Sequence, residues 1–105
     1  MNISYLYVIG PKQNGPVKIG FSAHPEQRLK TLQTSHPDPL VIHHTVKFDS
    51  KNIRELEKII HKEVSHKKTQ GEWFNISPQD ASLLLEHMFI LHEGKTLSQL
   101  KALTY

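Results

Sequence analysis

The chain contains no cysteine. That excludes a disulfide framework, thiolate zinc sites, iron–sulfur clusters and a cysteine nucleophile. Long apolar runs are missing too, since none approaches the roughly 18–20 residues of a membrane span. The short apolar stretch near the N-terminus has no basic segment ahead of it, as a secretion signal would. The expectation is a cytoplasmic protein without membrane association. Glycine is scarce, at five residues, and none builds a phosphate-cradling loop; no Ser-His-Asp set has a recognisable local signature. Eight histidines are present, yet His61 and His66, like His87 and His92, are spaced five apart. Neither pair shares a helical face in the i,i+4 manner of a zinc site.

What is present fits one domain with one modest core, because 105 residues leave room for no more. At 37% hydrophobic and 22% charged, the composition is polar but well short of that of a disordered chain. The net charge of +3 conceals an asymmetry: residues 1–70 carry 11 Lys/Arg against 6 Asp/Glu, and residues 71–105 carry 2 against 4. The basic excess is densest around Lys58, Lys62, Lys67 and Lys68. It is compatible with nucleic acid and equally with a solvated lysine-rich face.

Residues 3–9 are rich in β-branched and aromatic types and end at Gly10-Pro11. Asn14-Gly15 then precedes the short run Val17-Lys18-Ile19-Gly20-Phe21. Together they predict an antiparallel hairpin. Period two puts Tyr5 and Tyr7 on one face of the first strand, and turns Lys18 and Gly20 away from Val17, Ile19 and Phe21. Pro25 followed by Glu26 opens a helix to about Gln33. Residues 40–48 alternate as a third strand, with Leu40, Ile42, His44, Val46 and Phe48 on one face. Asp49 or Ser50 is placed to cap a helix through about residue 66, whose apolar stripe is Ile53, Leu56, Ile60 and Val64. Residues 71–76 return toward the core, with Trp73 and Phe74 as anchors. Ser77-Pro78 opens a last long helix with Leu83, Leu84, Met88 and Leu91 buried, and Gly94 ends it. Residues 96–103 predict a short terminal helix. The fold class expected is α+β, a small antiparallel sheet of about three strands flanked by helices. The domain is expected over residues 1–93, with 94–105 as its helical extension.

Three residues are out of place in this scheme. Glu57 falls on the edge of the apolar stripe of its helix, where an unpaired carboxylate would cost several kcal/mol, so it calls for a cation, a donor or a metal ion. An exposed i,i+4 ion pair is the alternative, but the residue four positions on is His61, on the same flank. Lys18, in mid-strand, must point to solvent or to a site. Arg28 adjoins the Leu32 side of its helix, either as a snorkelling surface arginine or as part of a site.

In their order along the chain, Tyr5-Leu6-Tyr7, Lys18-Ile19-Gly20, Pro25-Glu26-Gln27-Arg28-Leu29, Glu57-Lys58-Ile59-Ile60-His61 and Gly71-Glu72-Trp73-Phe74 resemble the GIY-YIG nuclease superfamily. The likeness is to its compact phage and bacterial branch, in which Lys-Ile-Gly replaces Tyr-Ile-Gly, and it spans roughly residues 5–85. The resemblance implies a small antiparallel sheet flanked by helices and a metal-dependent endonuclease that hydrolyses DNA phosphodiesters with Mg²⁺ or Mn²⁺. It further implies Tyr7 as the reactive tyrosine, Arg28 as the transition-state arginine and Glu57 as the metal ligand. His61 would support the ligand or a phosphate, and Asn75 is the nearest match to the family's asparagine. Tyr5 stands where the family has its first glycine, and Lys18 where it has a tyrosine.

A free tyrosine has a pKa of about 10, so Tyr7 needs cationic neighbours to act as a base, and Lys18 and Arg28 are the ones the resemblance supplies. Lys58, Lys62, Lys67 and Lys68 are the expected nucleic-acid contacts. DNA is the expected partner, with target choice left to a targeting protein, a second copy of the chain or a structured substrate. The other readings are an inactive nucleic-acid-binding module of the same fold and a protein-interaction domain.

Overall fold

The turn residues between the first two β-rich runs set the hairpin. Asn14 takes a left-handed conformation (φ 64°), which its short polar side chain tolerates better than most. The computed structural model describes residues 3–49 and 53–92. Strand β1 (Ile3–Pro11) pairs antiparallel with β2 (Val17–Ser22), bringing Tyr7 opposite Gly20 and Ile9 opposite Lys18. Helix α1 (Pro25–Gln33) follows, its first turn holding Pro25 and Glu26. Strand β3 (Leu40–Asp49) then lies antiparallel on the other edge of β1.

Helix α2 (Ile53–Glu63) and a 3₁₀ turn at Ser65–Lys67 lead into β4 (Lys68–Gln70), β5 (Trp73–Phe74) and helix α3 (Pro78–His92). Gly71, in the tight β4–β5 connection, has φ of +59°, which a residue without Cβ adopts at no steric cost. The sheet order is β3-β1-β2-β5-β4. The architecture is therefore α+β as expected, with five strands instead of three. The two additional strands are very short, and β4 is the wholly exposed Lys-Thr-Gln. Nothing so brief and polar displays period-two alternation.

Alternation does partition the hairpin. Leu6, Val8, Val17 and Ile19 face a core closed by Ile53, Leu56 and Ile60 of α2 and by Ala81, Leu85 and Met88 of α3. Tyr7 and Ile9 face the opposite side, packed with Leu40 and with Leu29 and Leu32 of α1. Strand β3 serves both cores, because its register against β1 shifts between Val8 and Ile9. The extra residue, His43, reverses the parity of the strand. Leu40 and Ile42 consequently join the α1 side, while His44, Val46 and Phe48 face α2 and α3. This corrects the single face expected for all five. His44 is half-buried and pairs with Glu86 of α3 (2.5 Å).

Asp49 is the last residue of β3, and the cap of α2 and Ser50 lie outside the described residues. One further expectation is revised. In α3 the buried stripe is Ala81, Leu85 and Met88, flanked by Leu84, whereas Leu83 and Leu91 are exposed (67% and 49%). That helix is apolar around most of its circumference, so spacing alone does not choose a face. Gly94, the helix expected over 96–103 and the 94–105 extension all lie outside the described residues. Among the described residues no helix is long and apolar enough to cross a membrane.

Neighbouring isoleucines of α2 test this packing. Ile60 is fully buried and Ile59 is 42% exposed. Ile60→Ala should cost about 2–5 kcal/mol, and Ile59→Ala about 0.5 kcal/mol or less, read from denaturant midpoints at unchanged slope. Equal losses would contradict the orientation of α2.

Candidate functional site

Strand β2 is longer than the partner on its outer side. β5 pairs with Val17 and Lys18, and the Ile19 amide still donates to the Glu72 carbonyl (3.3 Å). Beyond that point the edge has no strand beside it among the described residues, and its backbone groups need other partners. Helix α2 supplies them. The His61 Nε2–H donates to the Ile19 carbonyl (2.7 Å), and the Phe21 amide favours the charged form of the Glu57 carboxylate. Both residues lie on the flank of the apolar stripe because that flank runs along the β2 edge. The His61 ring is further held against Phe74, with centroids 5.0 Å apart.

A carbonyl only accepts, so Nε2 of His61 carries the proton, and in the neutral ring Nδ1 keeps a bare lone pair. Glu57, His61 and Glu72 each offer one donor atom, all within 4.8 Å of one another. Carboxylate and imidazole donors in that arrangement fit a divalent ion. Glu72 comes from the β4–β5 connection and sits where the two faces of the sheet meet.

Across that edge, on the α1 side, lie Tyr7, Lys18 and Arg28. Lys18 is buried (6% exposed) and its ammonium lies 3.4 Å from the Glu72 Oε1. A desolvated charge requires such a partner. Arg28 projects from α1, and its Nε donates to the Tyr7 hydroxyl (3.4 Å). The Tyr7 ring crosses over Gly20: a Cβ there would stand 2.6 Å from the hydroxyl oxygen and 3.4 Å from the Glu72 Oε2. Glycine at position 20 is thus a requirement of the space the phenol occupies.

The electrostatics differ from the expected activation of Tyr7. Burial pushes its phenol above the usual value; Arg28 pulls it down by hydrogen bond and charge, and Glu72 and Glu57 add to the rise. Lys18 is paired with Glu72, and the lowering of the phenol comes from Arg28. Glu57 is likewise raised, first by burial and then by the neighbouring Glu72, against the lowering effects of His61, Lys18 and the Phe21 amide.

Five of the sequence-derived residues therefore converge: Tyr7, Lys18, Arg28, Glu57 and His61. Tyr5 shares the face of Tyr7 but lines a separate depression with Ala23, His24 and Glu26. Asn75 is exposed, beside His66, Lys67, Lys68 and Thr69. Lys58 and Lys62 are exposed on α2, the former 3.8 Å from Glu55. Glu72 is the residue that sequence reasoning did not assign. Its only signal was its place in Gly71-Glu72-Trp73-Phe74.

The family model described as the T5orf172 domain matches residues 4–89. No curated protein matches the chain, and no solved structure does.

Tyr7 gives a direct check on this charge balance. In metal-free protein, the tyrosinate absorbance lost in Tyr7→Phe should belong to a component titrating above the usual phenol range. Glu72→Gln should move it down and Arg28→Met further up. Because the folded-state pKa is raised, stability is lost as pH climbs past the unfolded-state value of about 10, and Tyr7→Phe should lack that loss. A Tyr7 component below the usual range, in protein still folded by circular dichroism, would contradict the balance described.

Proposed function

The chain belongs to the T5orf172 domain family, and on that premise we propose that it is a metal-dependent endonuclease of GIY-YIG type that hydrolyses DNA phosphodiester bonds. Membership supports a nuclease-like or DNA-binding module. The observation that carries the rest is the meeting of a hydrogen-bonded Tyr7–Arg28 pair with the Glu57–His61–Glu72 donor set around one strand edge. A module that only held nucleic acid would need neither a buried phenol under a guanidinium nor a carboxylate–imidazole cluster.

In this reading Tyr7 accepts the proton of the attacking water. Its raised pKa keeps it protonated in the ion-free protein, so deprotonation must be drawn out by positive charge. Arg28, already donating to the phenol oxygen, favours the phenolate and meets the charge that develops on the phosphoryl oxygens. Lys18 keeps Glu72 turned toward the site. Bound at Glu57, Mg²⁺ or Mn²⁺ would supply Lewis-acid stabilisation of the leaving 3′ oxygen, together with charge that offsets the two carboxylates raising the phenol. The exposed Lys58, Lys62, Lys67 and Lys68 hold the DNA backbone, and their contacts release counterions.

The test is incubation with plasmid, single-stranded and branched DNA in Mg²⁺, Mn²⁺ or EDTA. Cleavage should require the divalent ion. Tyr7→Phe should lower the single-turnover rate by about 10²–10⁴-fold, and Arg28→Met by about 10²–10³-fold. Glu57→Gln should abolish ion-dependent cutting while the fold is kept. Binding without cleavage in every condition would reduce the domain to a nucleic-acid-binding module, and no binding at low salt would favour a protein-interaction role.

The lysines are separable from the chemistry. Lys67→Ala with Lys68→Ala should weaken DNA binding and flatten its salt dependence by up to about two units of slope, leaving the rate at saturating DNA unchanged. An unaltered salt slope would make these lysines a solvated face only.

A further inference from the structure

We propose that the ion centre is built from three ligands, Glu57, the Nδ1 of His61 and Glu72, and that it selects a first-row transition ion over Mg²⁺. The proposal rests on the ion site of the reading above but not on DNA cleavage.

The structure reaches this through His61. A histidine free to rotate could offer either nitrogen or neither. Here Nε2 is committed to the Ile19 carbonyl at 2.7 Å, and the ring packs against Phe74. Both the tautomer and the ring orientation are therefore set before any ion arrives. A metal-ligating histidine characteristically donates its second N–H to just such a carbonyl, which raises its basicity. Glu72 is likewise held in advance. Lys18 engages Oε1 at 3.4 Å, and Oε2 lies beside Gly20, 3.4 Å from where a Cβ there would stand.

The donor chemistry then decides the ion. Mg²⁺ prefers oxygen ligands, keeps several waters and is usually met by one or two carboxylates. An imidazole adds little for Mg²⁺ but raises affinity for Mn²⁺ and still more for Zn²⁺. Two carboxylates alone would serve Mg²⁺ well; a preset imidazole between them favours the softer ion. His61 is a specificity-determining ligand in this account, not only a prop for the β2 edge.

The experiment is calorimetric titration of the EDTA-treated full chain with Mg²⁺, Mn²⁺ and Zn²⁺, in the absence of nucleic acid. Wild type should bind Mn²⁺ and Zn²⁺ at least about tenfold more tightly than Mg²⁺. His61→Gln, which keeps an N–H donor for Ile19, should lose about 10–100-fold toward Mn²⁺ and Zn²⁺ and little toward Mg²⁺. Glu72→Gln should weaken all three ions. Should His61→Gln fail to fold, nitrogen NMR of wild type decides instead: Zn²⁺ should shift Nδ1 of His61 while Nε2 remains protonated. Equal affinity for Mg²⁺ and Mn²⁺, absence of binding, a preference kept by folded His61→Gln, or an unmoved Nδ1 would each overturn the proposal. Failure to cut any DNA, with the ion preference intact, would overturn the nuclease reading alone.

Discussion

The polar half of the molecule follows from one mismatch of length. β2 extends past the two residues of β5, leaving backbone donors and acceptors at a partly covered edge. Leaving such a group unsatisfied costs about 1–3 kcal/mol. α2 answers with side chains instead of a further strand, and to do so it must carry a carboxylate and an imidazole beside its apolar stripe. Helix, sheet edge and the Glu57–His61 pair are thus one arrangement. The groups that finish the sheet also face the Glu72 carboxylate.

A second constraint is charge. Two carboxylates and a phenol stand near two cations on a small, half-dry surface, and the pairing among them is selective. Lys18 goes to Glu72 and Arg28 to Tyr7. Neither cation overcomes the burial of the phenol, and Glu57 stays raised despite His61, Lys18 and the Phe21 amide. The ion-free site is therefore short of positive charge, a shortage that a divalent ion at the carboxylates would correct.

Much of this was legible in the residues, for reasons that can be named. β-branched runs around Asn14-Gly15 and the strict stripe of Ile53, Leu56 and Ile60 leave little choice of element or face. Glu57 and His61 stood out because polar groups rarely flank such a stripe without a partner. The rest was hidden where the local signal is weak. One extra residue at His43 reverses a strand, and no composition marks it. α3 is too apolar to announce its buried side. The role of Lys18 depended on Glu72, 54 positions away, and a charge alone does not say which neighbour it will meet. That is why the phenol was expected to be lowered when burial in fact raises it.

The β4–β5 hairpin has a consequence beyond completing the sheet. It contributes five strand residues, with Phe74 fully buried in the larger core and Trp73 half-buried against the smaller. Glu72 immediately precedes these two rings, so its carboxylate is carried by an element anchored in both cores. The exposed residues of β4 and Gly71 lie outside that anchor. Local opening, which begins where few apolar contacts hold the chain, therefore starts at β4, and amide exchange there should outpace exchange at Trp73 and Phe74 while Glu72 stays in place.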